Sequence, residues 1–250
     1  MLITGGAGHL GSAMSEALAA FGANLFIVGT DLNKNRAKAE QLASKYNIFC
    51  KSLDFDMRSE EKVRRVVDEI VTDNGNIDVL VNNAVYSCIK PLEDFTYQEW
   101  REGIDGTING VFIVTQTVLK HMLSVRRGNI INIASMYGVV APNMSIYGNS
   151  GQNNPANYGA GKAAIIQFTK YLATVYANQG IRANSISPGA FPNKETQKNT
   201  SFIKELCRMN PMERIGQPSD LYGAIVFLAS DASSYMTGHN MIIDGGWTTW

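Results

Sequence analysis

Short β-branched or aliphatic runs alternate along the chain with longer segments in which apolar residues return at helical spacing, and this alternation predicts a parallel sheet with crossover helices. Strands are predicted at Leu2–Thr4, Asn24–Val28, Asn47–Ser52, Asp78–Val81, Asn129–Ala134, Arg182–Ile186 and Asn240–Ile243. Helices are predicted over Leu10–Phe21, Lys34–Tyr46, Glu60–Thr72, Gln98–Ser124, Asn157–Ala177 and Ser219–Leu228. Strand and helix runs of this kind fit α/β architecture, with a doubly wound, seven-stranded, mostly parallel sheet and helices on both faces. No internal repeat or linker interrupts the pattern, so residues 1–250 are expected to form one domain.

Composition narrows the partners. Lysine plus arginine equals aspartate plus glutamate at 22 each, and neither sign forms a long block, which argues against a nucleic-acid binder. Apolar runs are too short to cross a bilayer, and the first residues lack the basic segment and cleavage site of a secretory signal, so a cytoplasmic protein is expected. Cys50, Cys88 and Cys207 are widely spaced, as are His9, His121 and His239, and neither a disulfide framework nor a metal site is expected. The expected partner is a small molecule.

Candidate chemistry begins at Thr4-Gly5-Gly6-Ala7-Gly8-His9-Leu10-Gly11, where the first strand gives way to a helix. Glycines there let the backbone turn tightly and approach a pyrophosphate, whose charge is stabilised by the free N–H groups and positive dipole end of the helix. An ordinary strand-to-helix turn carries glycines too, but the position at the head of a βαβ series favours a Rossmann-like dinucleotide site. Further on, Tyr158 and Lys162 lie four residues apart at the start of a helix and project from one face. Bringing a phenol from a pKa of ~10 to about 7 takes roughly 4 kcal/mol. One ammonium about 4 Å away supplies on the order of 4 kcal/mol at an effective dielectric of ~20. Tyrosine and lysine at this spacing are common by chance; what singles this pair out is Ser135, closing the strand-like run Ile130–Ala134.

Taken together, these motifs resemble the short-chain dehydrogenase/reductase family, and the resemblance covers the whole chain. It extends through Asn82-Asn83-Ala84-Val85, where Val85 replaces a glycine, and through Ser187-Pro188-Gly189. It continues through Arg214-Ile215-Gly216-Gln217-Pro218 and Asp244-Gly245-Gly246. What the resemblance implies is hydride transfer between NAD(P)(H) and a secondary alcohol or ketone of a small substrate, sugar-like or keto-acyl. It assigns catalysis to Ser135, Tyr158 and Lys162. Thr107 falls where many relatives carry an asparagine that holds a water leading to the lysine. The cofactor would meet Gly5, Gly8, His9, Leu10, Gly11, Thr30, Asp31, Asp56, Met57, Asn83, Ala84, Tyr158, Lys162, Pro188, Gly189 and Phe191, with Asp54 a rival to Asp56. Relatives usually assemble as tetramers, so a homotetramer or homodimer is implied.

Several departures leave alternatives open. His9 stands where the family has a glycine, and the spacing of Gly5, Gly8 and Gly11 matches the branch that modifies sugar nucleotides. An epimerase or dehydratase retaining NAD is therefore one alternative, and a non-catalytic nucleotide sensor, motivated by Thr107 and His9, is another. Gly29-Thr30-Asp31 ends the second strand without the usual acid or base in place, so NAD and NADP both stay open. Between Ser135 and Tyr158 lies a polar stretch, Ala141–Asn157, expected to border the substrate site. Tyr147 within it is closer to the family's serine-to-tyrosine spacing, but Gly151 follows four residues later and no helical pattern does, so Tyr158 is preferred. The segment Ala190–Met212 is expected to vary and to close over substrate.

Overall fold

The computed structural model describes residues 1–148, 150 and 152–250. Seven strands form one sheet: β1 (Leu2–Thr4), β2 (Leu25–Gly29), β3 (Cys50–Asp54), β4 (Val79–Asn82), β5 (Gly128–Ile133), β6 (Ile181–Pro188) and β7 (Asn240–Ile243). Their order is β3-β2-β1-β4-β5-β6-β7. Every neighbouring pair is parallel, so the mostly parallel expectation resolves to a fully parallel sheet. The order reverses between β1 and β4, and in such a sheet the crevice beyond the carboxyl ends at that switch point is where a ligand sits.

Helices cover both faces because each carries an apolar stripe. On one face α3 (Glu60–Asn74), α5 (Gly110–Ser124) and α6 (Ala156–Tyr176) bury Val63, Val67, Val118, Met122, Ile165 and Leu172 against the sheet. On the other, α1 (His9–Ala20), α2 (Leu32–Tyr46) and α8 (Tyr222–Ala229) bury Met14, Leu18, Leu42, Ile225 and Leu228. Burying a side chain of this size contributes about 1.5–3 kcal/mol. A hydrogen-bonded polar row crosses the apolar interior: the Asn82 amide donates to Thr115 Oγ1 at 2.9 Å and to Asn132 Oδ1 at 2.8 Å, and Asn132 donates to Thr169 Oγ1 at 2.9 Å. It ties β4 and β5 to α5 and α6 just below the crevice.

Two segments differ from expectation. The long helix predicted over Gln98–Ser124 is interrupted: α4 (Tyr97–Ile104) passes through a π-helical turn at Asp105–Asn109 before α5. Three glycines lie along this stretch, each admitting a neighbour a Cβ would displace: Asn157 at Gly103, Tyr86 at Gly106 and Met57 at Gly110. The variable segment contains a helix the apolar pattern did not reveal, α7 (Thr200–Arg208), whose N-cap Asn199 accepts from Phe202 N. Its buried residues, Phe202 and Leu206, join Met136, Ile146, Tyr147 and Trp247 in a small separate cluster. The apolar residues Phe202, Ile203, Leu206 and Cys207 span under two turns, too short a signal to stand out in a polar stretch.

Candidate active site

A cleft of about 550 Å³ opens at the switch point. Its floor is the glycine turn. Gly5 takes φ +62, a left-handed conformation that favours glycine, and a Cβ on Gly8 would lie 3.0 Å from the Gly5 carbonyl oxygen. Gly8 is the N-cap of α1 and brings no capping side chain, so the first-turn N–H groups of this 12-residue helix are not capped by one. Asn83 locks the turn to β4: its amide donates to Thr4 O and Gly5 O at 3.1 Å each, while Asn83 N and Ala84 N donate to Thr4 Oγ1. The Asn82-Asn83-Ala84 motif thus supplies the clamp of the glycine turn. Gly5, Gly8, His9, Leu10, Asn83 and Ala84 all line the cleft.

At one end the wall is Thr30 from the end of β2, with Asp56 and Met57 from the end of β3. Arg58, which no motif flagged, lies there too; only its place two residues beyond Asp56 could have marked it. Its guanidinium meets the Asp56 carboxylate at 2.6–3.1 Å and holds it below the usual carboxylate range. The same guanidinium packs 5.2 Å from the Tyr86 ring centroid. Tyr86, another lining residue without a sequence signal, is fastened by its N–H to Gly106 O at 2.9 Å.

At the other end Ser135, Tyr158, Lys162, Pro188, Gly189 and Phe191 share the wall. Lys162 is 3 % exposed and donates from Nζ to Ile133 O at 2.6 Å, with Nζ 5.6 Å from the Tyr158 ring centroid. Burial lowers this ammonium to about 8 and pushes the Tyr158 phenol up, while the Ser135 hydroxyl pulls the phenol back. Ser135 Oγ also accepts from Tyr137 N at 3.1 Å, which closes the turn after β5. That turn packs directly on α6, since a Cβ on Gly138 would lie 2.7 Å from the Lys162 carbonyl carbon. The spacing between Ser135 and the Tyr158–Lys162 pair is therefore set by backbone-to-backbone contact.

Five residues named from the sequence stand away from the cleft. Gly11 does not line it; the residue is needed because a Cβ would overlap the Gly5 carbonyl oxygen and the Asn83 amide. Asp31 caps α2 instead, its carboxylate accepting from Lys34 N at 3.0 Å. Thr107 is 1 % exposed, and its hydroxyl turns back into its own helix, donating to Gly103 O at 2.8 Å while packing on Gly161. Asp54, at the end of β3, is exposed and does not line the cleft. Tyr147 is buried in the small cluster and hydrogen-bonds Tyr137 at 3.0 Å between hydroxyls, whereas Gly151 lies outside the described residues.

The cleft residues fit a dinucleotide. A glycine turn with no room for side chains faces an uncapped helix start, and an ammonium and a phenol stand at the far end. Among the described residues no helix is long and apolar enough to cross a membrane.

Comparison with known proteins agrees. A profile of the family described as Enoyl-(Acyl carrier protein) reductase matches residues 6–248. The chain is 33% identical over 246 residues to the 3-oxoacyl-[acyl-carrier-protein] reductase FabG of Aquifex aeolicus, covering 98% of this chain and 95% of the relative. A gluconate 5-dehydrogenase from Burkholderia cenocepacia, crystallised with NADP and tartrate, superposes with a TM-score of 0.90 at 32% identity, covering 100% of this chain and 94% of that one. A short-chain dehydrogenase from Leptospira borgpetersenii with bound NAD+ gives a TM-score of 0.84 at 35% identity, over 99% and 91%. These likenesses do not favour the epimerase or sensor alternatives. The chain belongs to the short-chain dehydrogenase/reductase family and is an NAD(P)-dependent oxidoreductase acting between keto and alcohol groups.

Proposed function

We propose that the protein reversibly reduces the ketone of a small polyhydroxylated substrate to a secondary alcohol, with Tyr158 as general acid in reduction and general base in oxidation. The observation that carries the reading is the convergence of Ser135, Tyr158 and Lys162 on one end of the cleft whose other end is the glycine turn. When bound, the nicotinamide supplies the hydride in one direction and takes it up in the other. Gly5, Gly8, His9 and Leu10 would hold its diphosphate, Thr30, Asp56 and Met57 its adenosine, and Lys162 with Pro188, Gly189 and Phe191 its nicotinamide end. Ser135 orients the substrate oxygen by donating a hydrogen bond that strengthens as negative charge grows there. The Tyr158 hydroxyl gives its proton to that oxygen, and the Lys162 ammonium stabilises the phenolate left behind.

The polyhydroxylated class is supported by the likeness to a 5-keto-D-gluconate 5-reductase of Escherichia coli, 33% identical over 250 residues. A gluconate dehydrogenase among the structural relatives supports it further. The test is a panel of keto sugar acids, polyols and 3-oxoacyl thioesters against both cofactors, read by nicotinamide absorbance. Turnover confined to the thioesters would overturn the substrate class; a fully active Tyr158→Phe variant would overturn the mechanism. We propose in addition a cytoplasmic homotetramer or homodimer formed through α6 and the C-terminal segment, to be checked by light scattering.

A further inference from the structure

Asn157, the residue before Tyr158, is 0 % exposed. Its Oδ1 accepts from Ser87 Oγ at 3.1 Å and its Nδ2 donates to Glu99 O at 3.4 Å. The amide occupies the space that Gly103 leaves on α4, where a Cβ would overlap Nδ2. Three elements thus meet on one side chain: the segment after β4, helix α4 and the first turn of α6. The amide satisfies both partners at once, its oxygen accepting from the Ser87 hydroxyl and its nitrogen donating to the Glu99 carbonyl. Pro155, the N-cap of α6, makes no side-chain capping bond, so Asn157 adds a side-chain tie to α4 and the segment after β4 to the backbone packing of Gly138 on α6.

We infer that Asn157 is a positioning residue: its amide, seated between Ser87, Glu99 and Gly103, fixes the first turn of α6 so that the Tyr158 hydroxyl lies against Ser135 and Lys162. The inference rests on Tyr158 being the proton donor proposed above. It also couples two walls of one cleft, because Tyr86, next to Ser87, lines that cleft and is held to Gly106. A phenol displaced from Ser135 and Lys162 loses the groups that favour its charged form, so its titration moves up. The titratable groups facing it are Lys162 from its own helix and Tyr137 and Tyr147 from the segment after β5.

The test reads the phenol directly, by carbon-13 tyrosine NMR of the full chain saturated with NADP+, the Tyr158 resonance being the one lost in Tyr158→Phe. In Asn157→Ala this resonance is expected to titrate about one pH unit higher, roughly tenfold less phenolate at a given pH. NADP+ affinity by calorimetry should change less than about threefold, since Asn157 itself does not line the cleft. The double variant Gly103→Ala/Asn157→Ala restores volume but not the hydrogen bonds, and is expected to keep the raised titration. Return of that variant to the parent value would reduce Asn157 to packing and overturn the inference. Should Asn157→Ala fail to fold, Ser87→Ala decides: a smaller shift in the same direction supports the inference, and an unshifted resonance overturns it. An active Tyr158→Phe would instead defeat the reading beneath it, which keeps the two failures apart.

Discussion

Lys162 donates from Nζ to the carbonyl oxygen of Ile133 at 2.6 Å, so the buried ammonium is held by the last residue of β5, two positions before Ser135. One hydrogen bond does not replace the hydration of an ammonium, which is why burial brings it from 10.5 to about 8. Between those values the unfolded chain binds the proton and the folded chain does not, so stability rises with pH across that window. Below about 8 both states are protonated and the full penalty, about 3 kcal/mol, is present. Lys162→Met removes the penalty but strands the Ile133 carbonyl, which costs about 1–3 kcal/mol. The variant is therefore expected to match or exceed parent stability at neutral pH and to fall below it as pH climbs past 10, in urea denaturation at both pH values. A deficit that is the same at both would contradict the buried, protonated lysine.

Gly11→Ala separates packing from ligand contact. The added Cβ meets the Gly5 carbonyl oxygen and the Asn83 amide, and a backbone oxygen at a locked turn does not yield as a flexible side chain would. Destabilisation of about 1–3 kcal/mol or more is expected, measured by denaturant midpoint. Loss of cofactor affinity with an unchanged midpoint would mean that Gly11 touches the nucleotide after all.

The architecture was legible because a parallel sheet buries both faces of its strands, and runs such as Leu25–Val28 and Val79–Val81 then read as continuous apolar stretches. Ser135, Tyr158 and Lys162 were legible for a different reason, since the helical spacing of the last two is visible in one dimension. What stayed hidden depends on groups distant in sequence. Gly103, Gly106 and Gly110 make sense only beside Asn157, Tyr86 and Met57, and nothing local marks which residue will fill a missing Cβ. Asp31 read as a ribose contact because its position in the chain allowed it, and that position did not show that its Oδ1 caps α2.

Thr107 tests whether the relay implied by the family position operates here. Its hydroxyl donates to Gly103 O at 2.8 Å, with Ile104 O at 3.2 Å, and its side chain fills the space above Gly161. Thr107→Ala is expected to lower stability by about 1 kcal/mol, from one hydrogen bond and a methyl, and to leave the pH dependence of kcat in place. Thr107→Asn should destabilise more, because Gly161 leaves no room for a longer side chain. A kcat profile displaced by a pH unit in Thr107→Ala would restore the hydroxyl to the proton path.

Cofactor choice follows from which groups face the adenosine end. The Asp31 carboxylate accepts from Lys34 N and lies outside the cleft lining, so Asp31→Ala is expected to cost about 1 kcal/mol of α2 capping while leaving the NAD to NADP preference unchanged. Gly29, at the end of β2, does line the cleft, and a Cβ there would first meet, at 3.3 Å, the Asn35 amide that donates to Gly29 O at 3.1 Å. Gly29→Asp would present a carboxylate where a ribose hydroxyl can donate to it and a 2′-phosphate is repelled. A shift of at least about tenfold towards NAD, some 1.4 kcal/mol in relative affinity, is expected from calorimetry with both cofactors. Should Asp31→Ala shift the ratio about tenfold towards NADP and Gly29→Asp leave it unchanged, the ribose is read by Asp31 and not from the end of β2.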